Sequence, residues 1–428
     1  MKENNKLTKE AKGYIICNGL NKVIDLFIST FLVAYLLNIS GGNILQVSLY
    51  YLFVYMGMIV FYSLCSYFLG RANKLYFYRS SLLLKCLFLI LISVLKENIA
   101  TYIVPIAILY SIENSLYWSS YNCMITEAIS SKIMHKFYGT YNIVGYIVSI
   151  VAPIALGFII DAGSFIKTSI YAFIVCLAMF FITFLLKNRK EEKASFDLKG
   201  FMENAKKNKR DFMSCYLMCF FNGLRNSTAT IITILIVLTF SSNVSLGSLS
   251  SIMAIVGIIV TFLFMKLYTS KASKILYLCF ALSLIGVTAV TLNINKFTIV
   301  LFNVLYTIAM IIPDNLYSQR RVGIIRITKN HKYALEHNML AEASLNIGRV
   351  VSYGFLLIGS YYSSINTFKV LLVINIVMIT MYCFYNYVLE RRYNGIIFKN
   401  DVEKHLKEVE EDCDNYYFYK DSIHKEIN

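Results

Sequence analysis

The sequence predicts an all-α integral membrane protein whose helices form two six-helix bundles related by a parallel repeat. Three observations carry this. The composition is 57% hydrophobic and 15% charged over 428 residues, which does not describe a soluble globule. Apolar runs long enough for transmembrane helices number about twelve. Short motifs return in the same order about 200 residues later, as a duplicated bundle requires.

The first dozen residues, MKENNKLTKEAK, are polar, and no small-residue cleavage site follows in the apolar run behind them. That run therefore reads as a retained span and not as a signal peptide. A helix needs about 20 apolar residues to cross a hydrocarbon core of about 30 Å. Runs of that kind fall at 13–38, 44–69, 75–95, 99–124, 138–160, 164–186, 211–239, 246–268, 275–293, 297–319, 334–361 and 365–389. The last two are the least regular, because charged residues interrupt them. Continuous runs favour helices over a barrel, whose strands alternate over about ten residues. The one long internal polar stretch, 187–210, divides six spans from six. The expected organisation is an N-terminal bundle at 1–186, a cytoplasmic linker at 187–210, a C-terminal bundle at 211–389 and a cytoplasmic tail at 390–428.

Lysine and arginine fill every second connection: the N-terminus, 70–74, 130–136, 187–210, 266–274, 320–332 and the tail from Arg391. The alternate connections, such as NISGGN (38–43) and SSNVSLGS (241–248), carry almost none. Basic loops stay cytoplasmic, so both termini are expected in the cytoplasm of a cell, most simply a bacterial one, with the spans in its plasma membrane. The formal net charge of +16 then reports leaflet anchoring, with the lipid bilayer and not nucleic acid as the partner.

The repeat is read from four matches in order. Asn18-Gly19-Leu20 returns as Asn222-Gly223-Leu224, and Arg71-Ala72-Asn73-Lys74 as Lys271-Ala272-Ser273-Lys274. Glu113-Asn114 ahead of Leu116-Tyr117 returns as Asp314-Asn315 ahead of Leu316-Tyr317, and Asn142-Ile143 as Asn346-Ile347.

Two six-span halves, a basic central loop and a charged turn between the second and third spans of each half resemble the major facilitator superfamily (MFS) over essentially the whole chain. The family's turn, G-x-L-x-D-R-x-G-R/K, corresponds here to 66–74, with Arg71 and Lys74 at the two basic positions, Gly70 in place of the acid and Asn73 in place of the second glycine. In the family these basic residues pair with an acid at the end of the fourth span, so the resemblance implies a gate latch of Arg71 and Lys74 with Glu127; a purely topological role for the two basic residues is the alternative. The exporters' G-P-x-x-G-G of the fifth span is represented by Pro153 and Gly157 alone, which tilts the direction toward export and is equally a packing kink. The arginine of proton-coupled drug exporters has no counterpart in the fourth span.

Ionisable groups at membrane depth cost at least about 2.5–3.5 kcal/mol on insertion scales, so they face a cavity or a partner. Asp25, Lys85, Glu113 and Arg225 fall near mid-bilayer, with Asp314 and Arg349 close by. The resemblance implies that the first, second, fourth and fifth spans of each half line a central cavity, which makes Lys85 on the third span a supporting residue, snorkelling or paired. Helical spacing groups the others into stripes: Asn18, Asn21 and Asp25; Glu113, Tyr117 and Tyr121 with Trp118 alongside; Asn222, Arg225 and Asn226; Glu342, Asn346 and Arg349. With Asn142 and Asp314 they form the expected substrate or proton pathway, the plain alternative being helix glue.

Enzyme chemistry finds no footing. The five histidines lie in loops, tails or at a span end, no H-E-x-x-H or phosphate loop is present, and the ten cysteines include no C-x-x-C. No metal site and no cofactor is expected. The expected function is secondary active transport of a small molecule by alternating access, with Asp25 or Glu113 carrying a coupling proton, as in an antiporter. A receptor or regulator that kept the fold, and a lipid or glycolipid flippase, are the alternatives.

Overall fold

Every backbone N–H and C=O in a bilayer core must be satisfied within its own segment, so long apolar runs wind into helices. The computed structural model describes residues 8–70, 72–128, 131–186, 196–240, 242–267, 272–327, 333–362 and 365–397. Helix α1 (Lys9–Leu26) starts at Thr8, whose hydroxyl accepts from the Ala11 amide at 3.1 Å. A π-helical turn at Phe27–Leu32 joins it to α2 (Val33–Ile39), which completes the first span. The chain reverses through Gly41 and Gly42, both at positive φ, a conformation glycine adopts without steric cost. Helices α3 (Leu45–Leu69), α4 (Lys74–Leu95), α5 (Ile103–Ala128), α6 (Ser131–Ala162) and α7 (Phe165–Ile182) complete the first six spans.

The second part of the linker is itself folded. Helix α8 (Leu198–Ala205) is capped by the Asp197 carboxylate, and Phe201 is buried against Phe212 and Tyr333. The seventh span is broken into α9 (Lys209–Leu224) and α10 (Ser227–Thr239), with Arg225 and Asn226 in the gap. Helices α11 (Asn243–Leu267), α12 (Ala272–Leu292), α13 (Lys296–Ile327), α14 (Ala334–Ser360) and α15 (Ile365–Ile397) follow.

Among the described residues nine helical runs are long and apolar enough to cross a membrane. The other three long helices, α4, α5 and α14, are the ones that carry Lys85, Glu113 and the Glu342–Arg349 stripe. Irregular apolarity was expected of the last two spans; α15 is among the nine and α14 is not.

Packing follows the repeat. In the first half α1 meets α6 and α7, α3 meets α5, and α4 meets α5 and α7. In the second half α9 meets α14 and α15, α11 meets α13, and α12 meets α13 and α15, the same pairs one repeat on. Between the halves α3 packs on α14 and α11 on α6, which a two-fold relation interchanges. The repeated glycines explain the closest crossings. A Cβ on Gly19 would meet the Val144 side chain at 2.9 Å, and one on Gly223 would meet the Leu345 carbonyl at 2.0 Å, with Gly348 opposite. Small residues let helix backbones approach where lipid supplies no hydrophobic drive.

One end of the molecule, the linker end, carries α8, and the other, the turn end, carries Gly41 and Asn243. The largest buried apolar cluster draws residues from both halves, among them Phe31, Val54, Leu246 and Tyr353. Toward the linker end the apolar core divides by half, with Tyr14, Tyr78 and Tyr121 in one cluster and Phe201, Phe212 and Ile324 in the other. Among the described residues, hydrogen bonds that join the halves lie from mid-depth to the turn end. Tyr55 donates to Asn226 Oδ1 at 3.1 Å, and Ser251 to the Ile150 carbonyl at 2.6 Å. Asp161 accepts from the Asn243 side chain at 2.7 Å and from the Val244 amide at 3.0 Å, capping α11 from the other half.

Candidate functional site

A cavity of about 330 Å³ lies at mid-depth against α1, α5 and α6. Helix α1 contributes Asn18, Asn21 and Asp25, because positions three or four apart share a face. Trp118 of α5 and Tyr141 and Asn142 of α6 form the facing wall, and Lys22 and Ser29 border the rest. The π turn begins two residues after Asp25, an irregularity of the kind that recurs at functional sites.

Behind this wall stands a cluster of buried charge. The Lys85 ammonium, 1% exposed, donates to Asn21 Oδ1 at 2.6 Å and Asp25 Oδ1 at 3.3 Å, and it pairs with Glu113 Oε1 at 3.2 Å. It also lies 4.8 Å from the centre of the Tyr117 ring. The ammonium thus has three oxygens within 3.3 Å, two of them hydrogen-bond acceptors and the third, on Glu113, an ion-pair partner. Asn21 holds the other Asp25 oxygen through its amide at 2.7 Å. The two carboxylates differ: Asp25 is 34% exposed and opens on the cavity, while Glu113 is fully buried and neither of its oxygens receives a hydrogen bond. Of the two expectations for Lys85, snorkelling or paired, the second holds, and it is the cation that both acids share.

The second half has a related arrangement with its charges redistributed. Asp314 occupies the place of Glu113 in the repeat, and Arg225 that of Asn21. Arg225 pairs directly with Asp314, donates to the Tyr306 hydroxyl at 3.2 Å and stacks over the Tyr382 ring, whose hydroxyl donates to Asp314 at 2.8 Å. Each half thus compensates its fourth-span acid, with a lysine from the third helix in one case and an arginine from the first in the other. The gap between α9 and α10 places Arg225 and Asn226 side by side, so Arg225 turns to its own half while Asn226 bonds across to Tyr55.

The remaining pathway residues of the second half form a chain of contacts. Arg349 donates to Asn346 Oδ1 at 3.0 Å and lies over the Tyr55 ring at 4.8 Å. Asn346 in turn donates to the Glu342 carbonyl, and Glu342 pairs with Arg321 at 2.8 Å. Asn222 is half-buried one turn before Arg225.

Of the expected residues, the structure brings Asn18, Asn21, Asp25, Trp118 and Asn142 together on the cavity, with Glu113 and Tyr117 in the layer behind. Arg225, Asn226, Asp314, Asn346 and Arg349 belong to the second-half networks. In the expected gate latch Lys74 begins α4 and is buried, whereas Arg71 and the Glu127 side chain lie outside the described residues. The tail from 398 also lies outside them. Sequence reasoning missed Lys22, Tyr55 and Asp161. Lys22 and Asp161 stand near span ends or beside other polar residues, and Tyr55 is one of 33 tyrosines, so none carried a distinguishing signal.

The Major Facilitator Superfamily model matches residues 15–320. No curated protein matches the chain. Among solved structures, a bacterial homologue of the iron transporter ferroportin in an inward-facing state is similar over 89% of this chain and 98% of its own, at 13% identity and a TM-score of 0.65. The nucleoside transporter NupG is similar over 92% and 100%, at 12% identity and a TM-score of 0.63. The POT family transporter PepTSo is similar over 91% and 99%, at 8% identity and a TM-score of 0.69. At such identities the likeness is one of fold.

Proposed function

The chain belongs to the Major Facilitator Superfamily and is a membrane transporter, not an enzyme, and from that premise we propose proton-coupled antiport of a small molecule across the plasma membrane by alternating access. The two halves, 1–186 and 211–389, rock about the mid-depth cavity, with both termini and the linker end in the cytoplasm. The apolar core that is shared at the turn end and divided toward the linker end supports a cytoplasm-facing arrangement.

One observation carries the coupling: Glu113 is fully buried, receives no hydrogen bond, and is compensated by a lysine it shares with the cavity-facing Asp25. Two carboxylates that share one cation leave one negative charge over, which either a proton or a positively charged group of the cargo can balance. With Glu113 protonated, Lys85 pairs with Asp25 alone and the cavity loses its free negative charge. With Glu113 ionised, Lys85 is drawn back and Asp25 is available to cargo. Proton and cargo thus compete for one charge, which is the logic of antiport. Export is the direction we assign, on Pro153 and Gly157 in the fifth span.

The test is flux into proteoliposomes. Purified protein is given a metabolite extract with and without an imposed pH gradient, and the lumen is read by mass spectrometry. At least one compound should accumulate against its gradient only when the lumen is acidic, and Glu113→Gln should leave downhill exchange but remove the pH dependence. No accumulation of any compound would return the receptor reading, and lipid scrambling in the same vesicles the flippase.

A further inference from the structure

We infer that the cavity on α1 takes a zwitterion, a molecule with one ammonium, one carboxylate and an aromatic or apolar body. The inference rests on the transporter reading only in treating the cavity as the cargo site. Lys22 and Asp25 stand one helical turn apart and both border the cavity. Asp25 gives one oxygen to Lys85 and one to Asn21, so each keeps a lone pair for a donor from the cavity. Lys22 reaches across to Gly145 of α6, and the described ion pairs do not include it. An acceptor and a donor of opposite charge are therefore available on one wall at the spacing of neighbouring side chains.

Charge balance points the same way. The ionisable groups on and directly behind the wall are Lys22, Asp25, Lys85 and Glu113, two of each sign. A neutral zwitterion adds no net charge to that set, whereas a net cation or anion would be left uncompensated away from water. Trp118, Tyr141 and Tyr146 supply flat apolar surface beside the charged pair. The volume of about 330 Å³ stands at the small end of ligand sites, which start near about 300 Å³, so the cargo is of single amino-acid or short-peptide size.

The test is equilibrium binding in detergent, independent of flux, with four probes: L-phenylalanine, the dipeptide alanyl-phenylalanine, 2-phenylethylamine and 3-phenylpropionate. Phenylalanine or the dipeptide should bind about tenfold or more tightly than either single-charge analogue, the effect of one charge-assisted hydrogen bond. Asp25→Asn should bring the zwitterion down to the affinity of 3-phenylpropionate, and Lys22→Met to that of 2-phenylethylamine, while Lys22→Arg restores binding and shows that the wall is folded. Equal binding of the amine or of the acid by the unaltered protein overturns the inference in favour of a cation or an anion site, and binding of none of the four overturns it outright. A protein that binds phenylalanine but moves nothing in vesicles loses the transporter reading alone. One that transports a singly charged solute and ignores phenylalanine loses this inference alone.

Discussion

Replacing Lys85 by methionine strips Asp25 and Glu113 of the ammonium they share and leaves two carboxylates at mid-depth. Removing one partner of a buried pair costs about 3–5 kcal/mol, since the remaining charge is uncompensated. The expected outcome is a large fall in melting temperature for Lys85→Met at neutral pH. Stability should recover as pH falls, because each acid that is protonated removes one of the two uncompensated charges, and it should recover in part at fixed pH in the double variant with Glu113→Gln, which keeps the Asp25 carboxylate. A single variant as stable as the parent at pH 7 would contradict the shared-cation geometry. Arg225→Ala takes the guanidinium from Asp314, whose side chain is 44% exposed and keeps the Tyr382 hydroxyl, so a smaller fall is expected, with no effect on binding at the α1 cavity. At this scale the sequence was partly legible. Asp25 and Glu113 stand out as acids in apolar runs, and that was enough to find them. Lys85 stands out in the same way and was expected to snorkel or to pair, but which of several buried cations an acid meets depends on helix rotation, which apolar spacing on a nearly all-apolar helix does not specify.

Between elements, the contact that holds the turn end shut is a helix cap supplied in trans. The first amides of α11 would otherwise point at the end of α6 without acceptors, and Asp161 satisfies the Val244 amide while sitting where the helix dipole favours negative charge. Gly247 reinforces the crossing, since a Cβ there would come within 2.1 Å of the Pro153 carbonyl. Loss of an N-cap costs about 1 kcal/mol. Asp161→Ala should therefore raise opening of this end roughly fivefold, measured as faster hydrogen exchange at amides 242–246, with little change in exchange at α8. Gly247→Val, which cannot be accommodated without separating the two helices, should open the same end further. Unchanged exchange in both variants would mean that the seal lies elsewhere. The glycines of this crossing and the Asn-Gly-Leu repeats could be seen in the sequence, and their role as close approaches follows from membrane packing. The trans cap could not, because Asp161 and Asn243 are far apart in the chain and each alone reads as an ordinary loop residue.

For the whole molecule, the features that could be read were those set by bulk hydrophobicity and duplication: the helices and the pairing of equivalent spans. The helices that carry Asp25 and Asp314 are apolar enough to cross a membrane all the same, so the rule that finds spans does not by itself find the site. Orientation depends on a different term, the lysine and arginine bias of alternate connections, and it decides which solution the divided end of the core faces. If the bias governs insertion, a reporter fused after Lys199 lies in the cytoplasm and one inserted near Ser245 lies outside. Since α8 begins at Leu198 and its buried Phe201 anchors it to the second half, a fusion at Lys199 truncates that contact, and an intact sandwich fusion in the 187–195 stretch serves as the control. Cytoplasmic signals at both linker positions and an external one at Ser245 are the expected result, which places the divided end of the core on the side from which an exporter collects its cargo. An external linker would invert the molecule, and with it the direction of transport.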